Sequence, residues 1–285
     1  MKQIVIISGK GGTGKTVFTA SLAALVENKV MVDCDVDAAD LHLLLEPETV
    51  EKNQFKSGVT AVVDEQKCIR CGKCQEVCRF DAVQDVFTID PISCEGCGFC
   101  SLVCPVDAIE MKENKSGEWY ISKTRFGPMV HARLGIAEEN SGKLVTLVRE
   151  KAVEMANSRK LQWVLIDGAP GIGCPVIASL SGVDCALVVT EPTLSGLHDA
   201  GRVVEVARHF GVATKVLINK FDLNLDITEK IEDYCRQAAI QVVGKIPFDE
   251  RIVMAMVEGK TIPEYVNGEM KSRLQDIWDT VSADF

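Results

Sequence analysis

Residues 9–16 have the composition and spacing of a phosphate-binding loop. They follow the pattern G-x-x-x-x-G-K-[ST], as Gly9-Lys10-Gly11-Gly12-Thr13-Gly14-Lys15-Thr16. Glycines let successive backbone N–H groups turn toward an anion, at a helix N-terminus whose dipole already favours phosphate. Lys15 is expected to reach the β- and γ-phosphates, and the Thr16 hydroxyl to bind Mg²⁺. The loop therefore predicts a nucleotide site.

Carboxylates follow two of the predicted strands. Asp33 and Asp35 come at the end of an apolar run that starts at Val30, and Asp167 ends the run that starts at Trp163. Ligands of open α/β sheets bind beyond the carboxyl ends of the strands, so these acids are expected beside the nucleotide. Asp33 and Asp35 would act through Mg²⁺ or a water, and Asp167 is the expected partner of the phosphate loop on the Mg²⁺ side.

Eight of the twelve cysteines lie between residues 68 and 104, in two runs of four. Corresponding cysteines are 26 residues apart (94 − 68 and 104 − 78), which indicates an internal duplication. The spacing is that of bacterial ferredoxins, in which the fourth cysteine of each run ligates the other cluster. It assigns two [4Fe–4S] ligand sets: Cys68, Cys71, Cys74 and Cys104, and Cys94, Cys97, Cys100 and Cys78. Two zinc sites are the alternative, but zinc ribbons space their cysteine pairs differently.

The elements that must position these residues alternate between strand and helix, except in the cysteine-rich segment. The pattern predicts an α/β fold, with a mainly parallel P-loop NTPase sheet covered by helices on both faces. A small α+β ferredoxin-like domain is expected as an insertion. The predicted boundaries are a first ATPase part at 1–58, the insertion at 59–112, a β-hairpin and connection at 113–139, and a second ATPase part at 140–285.

Composition narrows the class of protein further. The chain has 285 residues, 47% hydrophobic and 25% charged, as in an ordinary globular protein. A net charge of −10 argues against a nucleic-acid partner, and no apolar run reaches the roughly 20 residues that span a bilayer. Because no secretion signal is evident, we expect a cytoplasmic protein, no membrane insertion, and cysteines that bind metal rather than form disulfides.

The phosphate loop also resembles the deviant Walker A motif of the MinD/Mrp/nitrogenase-iron-protein (SIMIBI) class of ATPases, which has an extra lysine, here Lys10. The resemblance implies a homodimer with ATP at its interface, in which Lys10 acts on the partner's nucleotide. It also implies that Asp35 handles the attacking water and that Asp167 belongs to a second switch. Asn219 would contact adenine, and Pro247 matches a further family position.

Two resemblances leave alternatives open. Residues 219–222 also fit the N-K-x-D pattern by which GTPases select guanine, so GTP is the alternative to ATP. Cys174 lies seven residues after Asp167 (174 − 167), the spacing of a cluster ligand in the nitrogenase iron protein. Its alternative is a small residue packed near Pro175. The remaining cysteines, Cys34, Cys185 and Cys235, are expected in the core.

The two modules together suggest ATP hydrolysis coupled to electron transfer, through two [4Fe–4S] clusters, toward a partner metalloprotein. A redox or metallocofactor protein is therefore the expected partner. Two alternatives stand beside this prediction. One is an ATPase that assembles or carries an iron–sulfur cluster or metallocofactor, and the other is a nucleotide-bound redox sensor or scaffold.

Overall fold

The computed structural model describes residues 1–135, 141–266 and 268–285. The prediction that residues 136–139 complete the connection after the hairpin therefore lies outside the described residues. The chain divides into two compact units. Unit 1 comprises Met1–Asn53, Trp119–Arg133 and Ser141–Phe285, and unit 2 comprises Gln54–Glu118 and Leu134–Asn140.

The described chain contains strands and helices in alternation over most of its length. The strands are β1 Lys2–Ser8, β2 Lys29–Asp33, β3 Glu48–Val63, β4 Ile109–Thr124, β5 Gly127–Leu134, β6 Trp163–Pro170, β7 Cys185–Thr190, β8 Ala213–Asn219 and β9 Gln241–Ile246. The helices are α1 Lys15–Leu25, α2 Leu41–Leu45, α3 Lys73–Val77, α4 Phe99–Leu102, α5 Ser141–Arg159, α6 Cys174–Leu180, α7 Leu194–His209, α8 Leu225–Gln237, α9 Glu250–Val257, α10 Ile262–Tyr265 and α11 Glu269–Ser282. No described helix has the length and apolar content needed to cross a bilayer.

The strands form one nine-stranded sheet in the order β3-β4-β5-β2-β6-β1-β7-β8-β9. From β5 to β9 in that order, every neighbouring pair is parallel. The predicted mainly parallel α/β sheet is thus confirmed. The register pairs Asp33 of β2 with Asp167 of β6, and Asp167 with Ile6 of β1. Three strands therefore end at one edge, where the phosphate loop begins.

The core of unit 1 forms because its central strands are apolar on both faces. Residues 4–7 of β1 are all buried, as expected for a parallel strand covered on two sides. Helix α1 packs Phe18 and Leu22 into the same core cluster as Leu274 of α11. Cys34, Cys185 and Cys235 are buried, which confirms their predicted core positions.

Strands β3 and β4 are longer than the sequence pattern indicates. The sequence predicted a β-hairpin only within residues 113–139, whereas β3 begins at Glu48, β4 begins at Ile109, and each of the two strands has 16 residues. Most residues of β3 are exposed, so its apolar alternation is weak. Both strands run from one unit into the other, since the unit boundaries fall after Asn53 and Glu118.

Unit 2 has little apolar core around its cysteines. From residue 64 to 108, all of which the structure describes, only three apolar side chains are buried: Ala82, Val83 and Ala108. The short helices α3 and α4 each begin after a glycine with positive φ, Gly72 and Gly98. A segment of this size with so small a core depends on something other than hydrophobic burial for its stability.

Candidate functional site

The loop between β1 and α1 has the conformation that a phosphate cradle requires. Gly12 and Gly14 have φ of 80° and 90°, values that side-chain-bearing residues rarely adopt. A Cβ on Gly14 would also collide with the Asn219 side-chain amide. The Asn219 Nδ2 donates to the carbonyl oxygen of Thr13 at 2.8 Å, so β8 fixes the loop from the side.

The loop opens into a cavity of about 700 Å³ in unit 1. Many of the predicted site residues line it: Gly11, Gly12, Thr13, Gly14, Lys15, Thr16, Asp35, Asn219 and Pro247. Its other end is apolar, with side chains from α2, β9 and α9 that include Leu44, Ile246 and Ile252. Gly9, Lys10 and Asp167 are not among the lining residues. The cavity therefore combines a polar anion cradle with an apolar compartment, as a nucleotide requires.

Asp167 organises the floor of the cradle. It is fully buried, and its Oδ2 accepts from the Thr16 hydroxyl at 2.8 Å. Its Oδ1 accepts from the Thr19 hydroxyl at 2.9 Å and lies 3.1 Å from the Lys15 ammonium. Asp35 lies 3.7 Å from the same ammonium. The predicted phosphate lysine, Mg²⁺ hydroxyl and switch acids are thus in direct contact.

The cradle has more negative than positive charge. Burial lowers the pKa of Lys15, but Asp167, Asp35 and Asp33 outweigh it and raise that pKa above its ordinary value. Burial, together with the charge of Asp167, raises the pKa of Asp33 well above its usual range, and burial also raises the pKa of Asp35. Three carboxylates facing one lysine favour a further cation. The adjacent Thr16 and Asp167 oxygens have the hard-donor chemistry that suits Mg²⁺.

Lys10 is turned away from the cavity of its own chain. Its ammonium lies 2.8 Å from Glu191 Oε1 and donates to Thr193 Oγ1 at 3.2 Å and Ser195 Oγ at 3.0 Å. The other carboxylate oxygen of Glu191 takes Lys220 at 3.2 Å. Hydrogen bonds from the two lysines outweigh burial and lower the pKa of Glu191. Within one chain, Lys10 therefore serves the 191–195 segment rather than the phosphate cradle.

The eight clustered cysteines fall into the two predicted sets. Cys68, Cys71, Cys74 and Cys104 line one small cavity of unit 2, and Cys78, Cys94, Cys97 and Cys100 line another, each of about 20 Å³. Within the described residues, no three or more His, Cys, Asp or Glu side chains are grouped so that they could hold a metal ion. Cys174 is exposed at the start of α6 in unit 1, beside Gly142, and belongs to neither set.

Fold and cradle together define a P-loop nucleotide-binding protein. The profile of the CobQ/CobB/MinD/ParA nucleotide-binding domain matches residues 4–262, and the chain belongs to this family. The predicted P-loop ATPase class is thereby confirmed at the level of the family.

Individual relatives match over most of their length. Protein MJ0578 of Methanocaldococcus jannaschii, of uncharacterised function, is 40% identical over 227 residues, 78% of this chain and 79% of its own. A putative septum site-determining protein MinD of Chlorella vulgaris is 26% identical, over 92% of this chain and 77% of its own.

Solved structures show the same fold. MinD of Pyrococcus horikoshii complexed with Mg-ADP is 18% identical with a TM-score of 0.60, over 99% of this chain and 96% of that one. The MinC:MinD complex of Aquifex aeolicus is 18% identical with a TM-score of 0.59, over the same shares of the two chains.

These findings contradict the predicted iron–sulfur identity. The family profile runs through the cysteine segment, no separate ferredoxin domain is matched, and the described residues contain no group suited to a metal ion. The prediction of a MinD-type ATPase with an inserted 2[4Fe–4S] ferredoxin domain is corrected accordingly. The predicted function, electron delivery to a redox partner, is corrected as well. The same holds for its two alternatives, cofactor assembly and redox sensing. The duplicated cysteine spacing led to a wrong prediction of function, because we interpreted it as a separate domain with its own activity.

The structure adds site residues that the sequence analysis missed. Thr19 holds Asp167 from the second turn of α1, and its position three residues after Thr16 on one helix face could have indicated this. Glu191 holds Lys10 and Lys220, contacts between distant parts of the chain that no local pattern reveals.

Proposed function

We propose that the chain is an ATP-hydrolysing switch that acts as a homodimer, with nucleotide at the interface, on a partner protein. The contacts of Asp167 with Lys15 and Thr16, two residues that line the cavity of about 700 Å³, carry the proposal. Lys15 and the loop N–H groups would hold the phosphates, and Thr16 and Asp167 the Mg²⁺. Asp35, at the cavity wall, would orient the attacking water.

The position of Lys10 supports the dimer. An ammonium already satisfied by Glu191, Thr193 and Ser195 contributes nothing to its own cradle. Released from Glu191, it would be free to reach a second chain and stabilise charge on that chain's γ-phosphate. Glu191 would keep Lys220 as its counter-ion, so the release leaves no carboxylate unpaired.

Adenine is the favoured base. In the N-K-x-D pattern, the aspartate must face the base if guanine is to be selected. Asp222 does not line the cavity, and its Oδ1 accepts the backbone N–H of Phe248 at 2.7 Å. Asn219 is occupied with the Thr13 carbonyl. The side chains that could read guanine are thus engaged elsewhere, whereas an apolar compartment receives adenine without needing a carboxylate.

Titration calorimetry with MgATP and MgGTP, followed by light scattering and phosphate release, tests this proposal. We expect MgATP to bind at least tenfold more tightly, to produce a mass near twice that of one chain, and to be hydrolysed slowly until the partner is present. Two similar MinD structures, one complexed with Mg-ADP and one with MinC, support the nucleotide and the protein partner by likeness of fold. Tighter binding of MgGTP, or a monomer with MgATP, would count against the proposal.

The two cysteine sets of unit 2 are proposed as thiolate ligand sites. Four sulfurs around each cavity match the number of donors in a metal centre. Because residues 64–108 have so small an apolar core, a bound metal would supply stability that burial does not.

Metal analysis of protein purified without oxygen tests the ligand assignment. Cys71→Ser and Cys97→Ser each remove one ligand from a different set, and Cys174→Ser is the control outside both sets. Loss of about four irons and four sulfides per variant would assign a [4Fe–4S] cluster, and loss of about one zinc would assign a zinc site. Equal metal in all three variants would remove these cysteines from the ligand set.

A further inference from the structure

The turn between β4 and β5 places an arginine between two walls of the nucleotide cavity. This turn consists of Arg125 and Phe126, and all of the contacts described below lie within unit 1. The Arg125 guanidinium donates from Nε and Nη2 to the two carboxylate oxygens of Glu264, each at 3.0 Å. Nη2 also donates to the Gly259 carbonyl at 2.9 Å, and Nη1 lies 3.5 Å from Glu46 Oε2.

The turn that presents Arg125 is itself fixed. The ammonium of Lys29, a buried residue at the start of β2, donates to the Phe126 carbonyl at 2.6 Å. The Thr124 hydroxyl donates to the Gly127 carbonyl at 2.9 Å and accepts the Phe126 N–H at 3.1 Å. These hydrogen bonds fix the backbone of the turn. The turn therefore holds the Arg125 side chain in place and does not move with the groups that Arg125 contacts.

The partners of Arg125 belong to two separate parts of the cavity wall. Glu46 ends α2, whose Leu43 and Leu44 line the cavity and which follows the loop of Asp35. Gly259 and Glu264 belong to the segment from α9 to α10, which contributes Met256 and Ile262 to the lining. The two parts approach at Gly259, where a Cβ would lie 3.6 Å from the Leu43 carbonyl oxygen.

We propose that Arg125 is a positioning residue that ties these two walls together and thereby slows the exchange of nucleotide. The inference rests on the proposed function, in that it takes the cavity to be the nucleotide site. Nucleotide leaves the apolar compartment only when α2 and the 258–264 segment separate. The guanidinium bridges both sides from a turn that belongs to neither.

An arginine suits this role better than a lysine. Its planar fork bonds both oxygens of Glu264 and still has donors for Gly259 and Glu46. Glu264 Oε2 also accepts from the Thr261 N–H and hydroxyl, each at 2.8 Å, so the carboxylate that Arg125 holds begins α10 as well. Lysine would keep the charge and lose the bidentate contact.

Stopped-flow displacement of a fluorescent MgADP analogue from the full chain measures the tie directly. Arg125→Ala should release the analogue about three to ten times faster than the wild type, and Arg125→Lys should give an intermediate rate. Glu46→Gln breaks only the contact with α2 and should have a smaller effect. Arg133→Ala, which removes an exposed arginine of β5, is the control. Steady-state turnover at saturating ATP should stay within twofold of the wild type in the control, Arg133→Ala.

The outcomes separate the tie from the proposed function. A wild-type chain that fails to bind the analogue overturns the proposed function, and this inference with it. Binding with an unchanged release rate in Arg125→Ala overturns the tie alone. A lower kcat with an unchanged release rate would give Arg125 a general structural role and would also overturn the tie. A melting curve for each variant shows whether the rates are measured on folded protein. If Arg125→Ala does not fold, the release rates of Arg125→Lys and Glu46→Gln test the tie instead.

Discussion

The nucleotide cradle of unit 1 and the cysteine segment of unit 2 are both proposed here as sites for ligands, but they are built in opposite ways. In the cradle, each functional side chain already has protein partners: Asp167 alone takes Lys15, Thr16 and Thr19. The strands beneath it, β1, β2 and β6, are buried over most of their length. In residues 64–108, three small buried side chains form the whole apolar core, and all eight cysteines are partly or fully exposed.

The difference indicates how far the folding of each site depends on its ligand. The cradle is preorganised by the fold, so a nucleotide meets groups already in place and the fold does not depend on its presence. The cysteine segment lacks the burial that would order it, so any bound metal contributes to its folding. Loss of ligand should therefore leave unit 1 folded and loosen unit 2.

The largest expected effect follows from Lys15→Ala. It removes the cradle's cation and leaves Asp33, Asp35 and Asp167 facing the phosphates. MgATP affinity should fall by about 10²–10³. Titration calorimetry measures the affinity, with the exposed Lys143→Ala on α5 as the charge-matched control. Hydrogen exchange in residues 64–108 should be unchanged, and a loss of protection there would break the contrast between the units.

The converse change is the double variant Cys71→Ser/Cys97→Ser, which takes one thiolate from each cysteine set. Amides such as those of Cys78 and Asp90, which are hydrogen-bonded in the loops of unit 2, should lose their exchange protection. MgATP affinity should stay within about threefold of the wild type, since unit 1 keeps its own core. Exchange measured by mass spectrometry would contradict the account if residues 64–108 stayed protected.

Within the cradle, Thr19→Val tests how far Asp167 depends on its neighbours. The substitution keeps the shape but removes a buried donor to a carboxylate, so the free energy of unfolding should fall by about 1–3 kcal/mol. Turnover should also fall, because Asp167 loses one of its fixed contacts. Ser21→Ala on the same helix is the control: its hydroxyl donates only to the Val17 carbonyl. Equal effects of the two variants would mean that Asp167 is positioned without Thr19.

The remaining effect concerns pH and belongs to unit 1. Burial, with His42 nearby, lowers the pKa of His131 to about 4, and its Nε2 lies 2.9 Å from the Ser122 hydroxyl. The unfolded chain, with an ordinary histidine pKa of about 6.5, binds the proton first as pH falls. Stability should therefore drop by about 2–3 kcal/mol between pH 6.5 and pH 4.

Denaturant unfolding across this range, compared between wild type and His131→Gln, measures the contribution. The variant should lose that part of the pH slope, whereas the exposed His209→Gln should keep it. An identical slope in the wild type and His131→Gln would show that other groups carry the dependence.

Sequence patterns predicted the parts of the fold in which local chemistry and tertiary contacts agree. The apolar run at 3–7, the glycine loop and the helix after it appear as β1, cradle and α1, because parallel strands and phosphate loops have short-range signatures. Helices α9 and α10, in contrast, were not predicted, because they are short and lie beside the site.

The rest depended on contacts between residues far apart in the chain. The contact of Lys10 with Glu191 joins residues 181 positions apart (191 − 10), and that of Arg125 with Glu264 joins residues 139 apart. No periodicity reveals such pairs. The cysteine runs led to the opposite kind of error, a local pattern from which too much was predicted. Their spacing is regular, but a regular spacing does not establish an activity.

The central claim is that two chains share each nucleotide site and that Lys10 serves the partner's cradle. Mixing two inactive variants, Lys10→Ala and Lys15→Ala, tests it most directly by phosphate release. In a mixed dimer, the Lys10→Ala chain keeps its own Lys15 and receives Lys10 from its partner, so one of two sites is complete. With random pairing, the mixture should recover about a quarter of wild-type activity. If Lys10 acts within its own chain, neither site is complete, and the mixture will stay as inactive as its components.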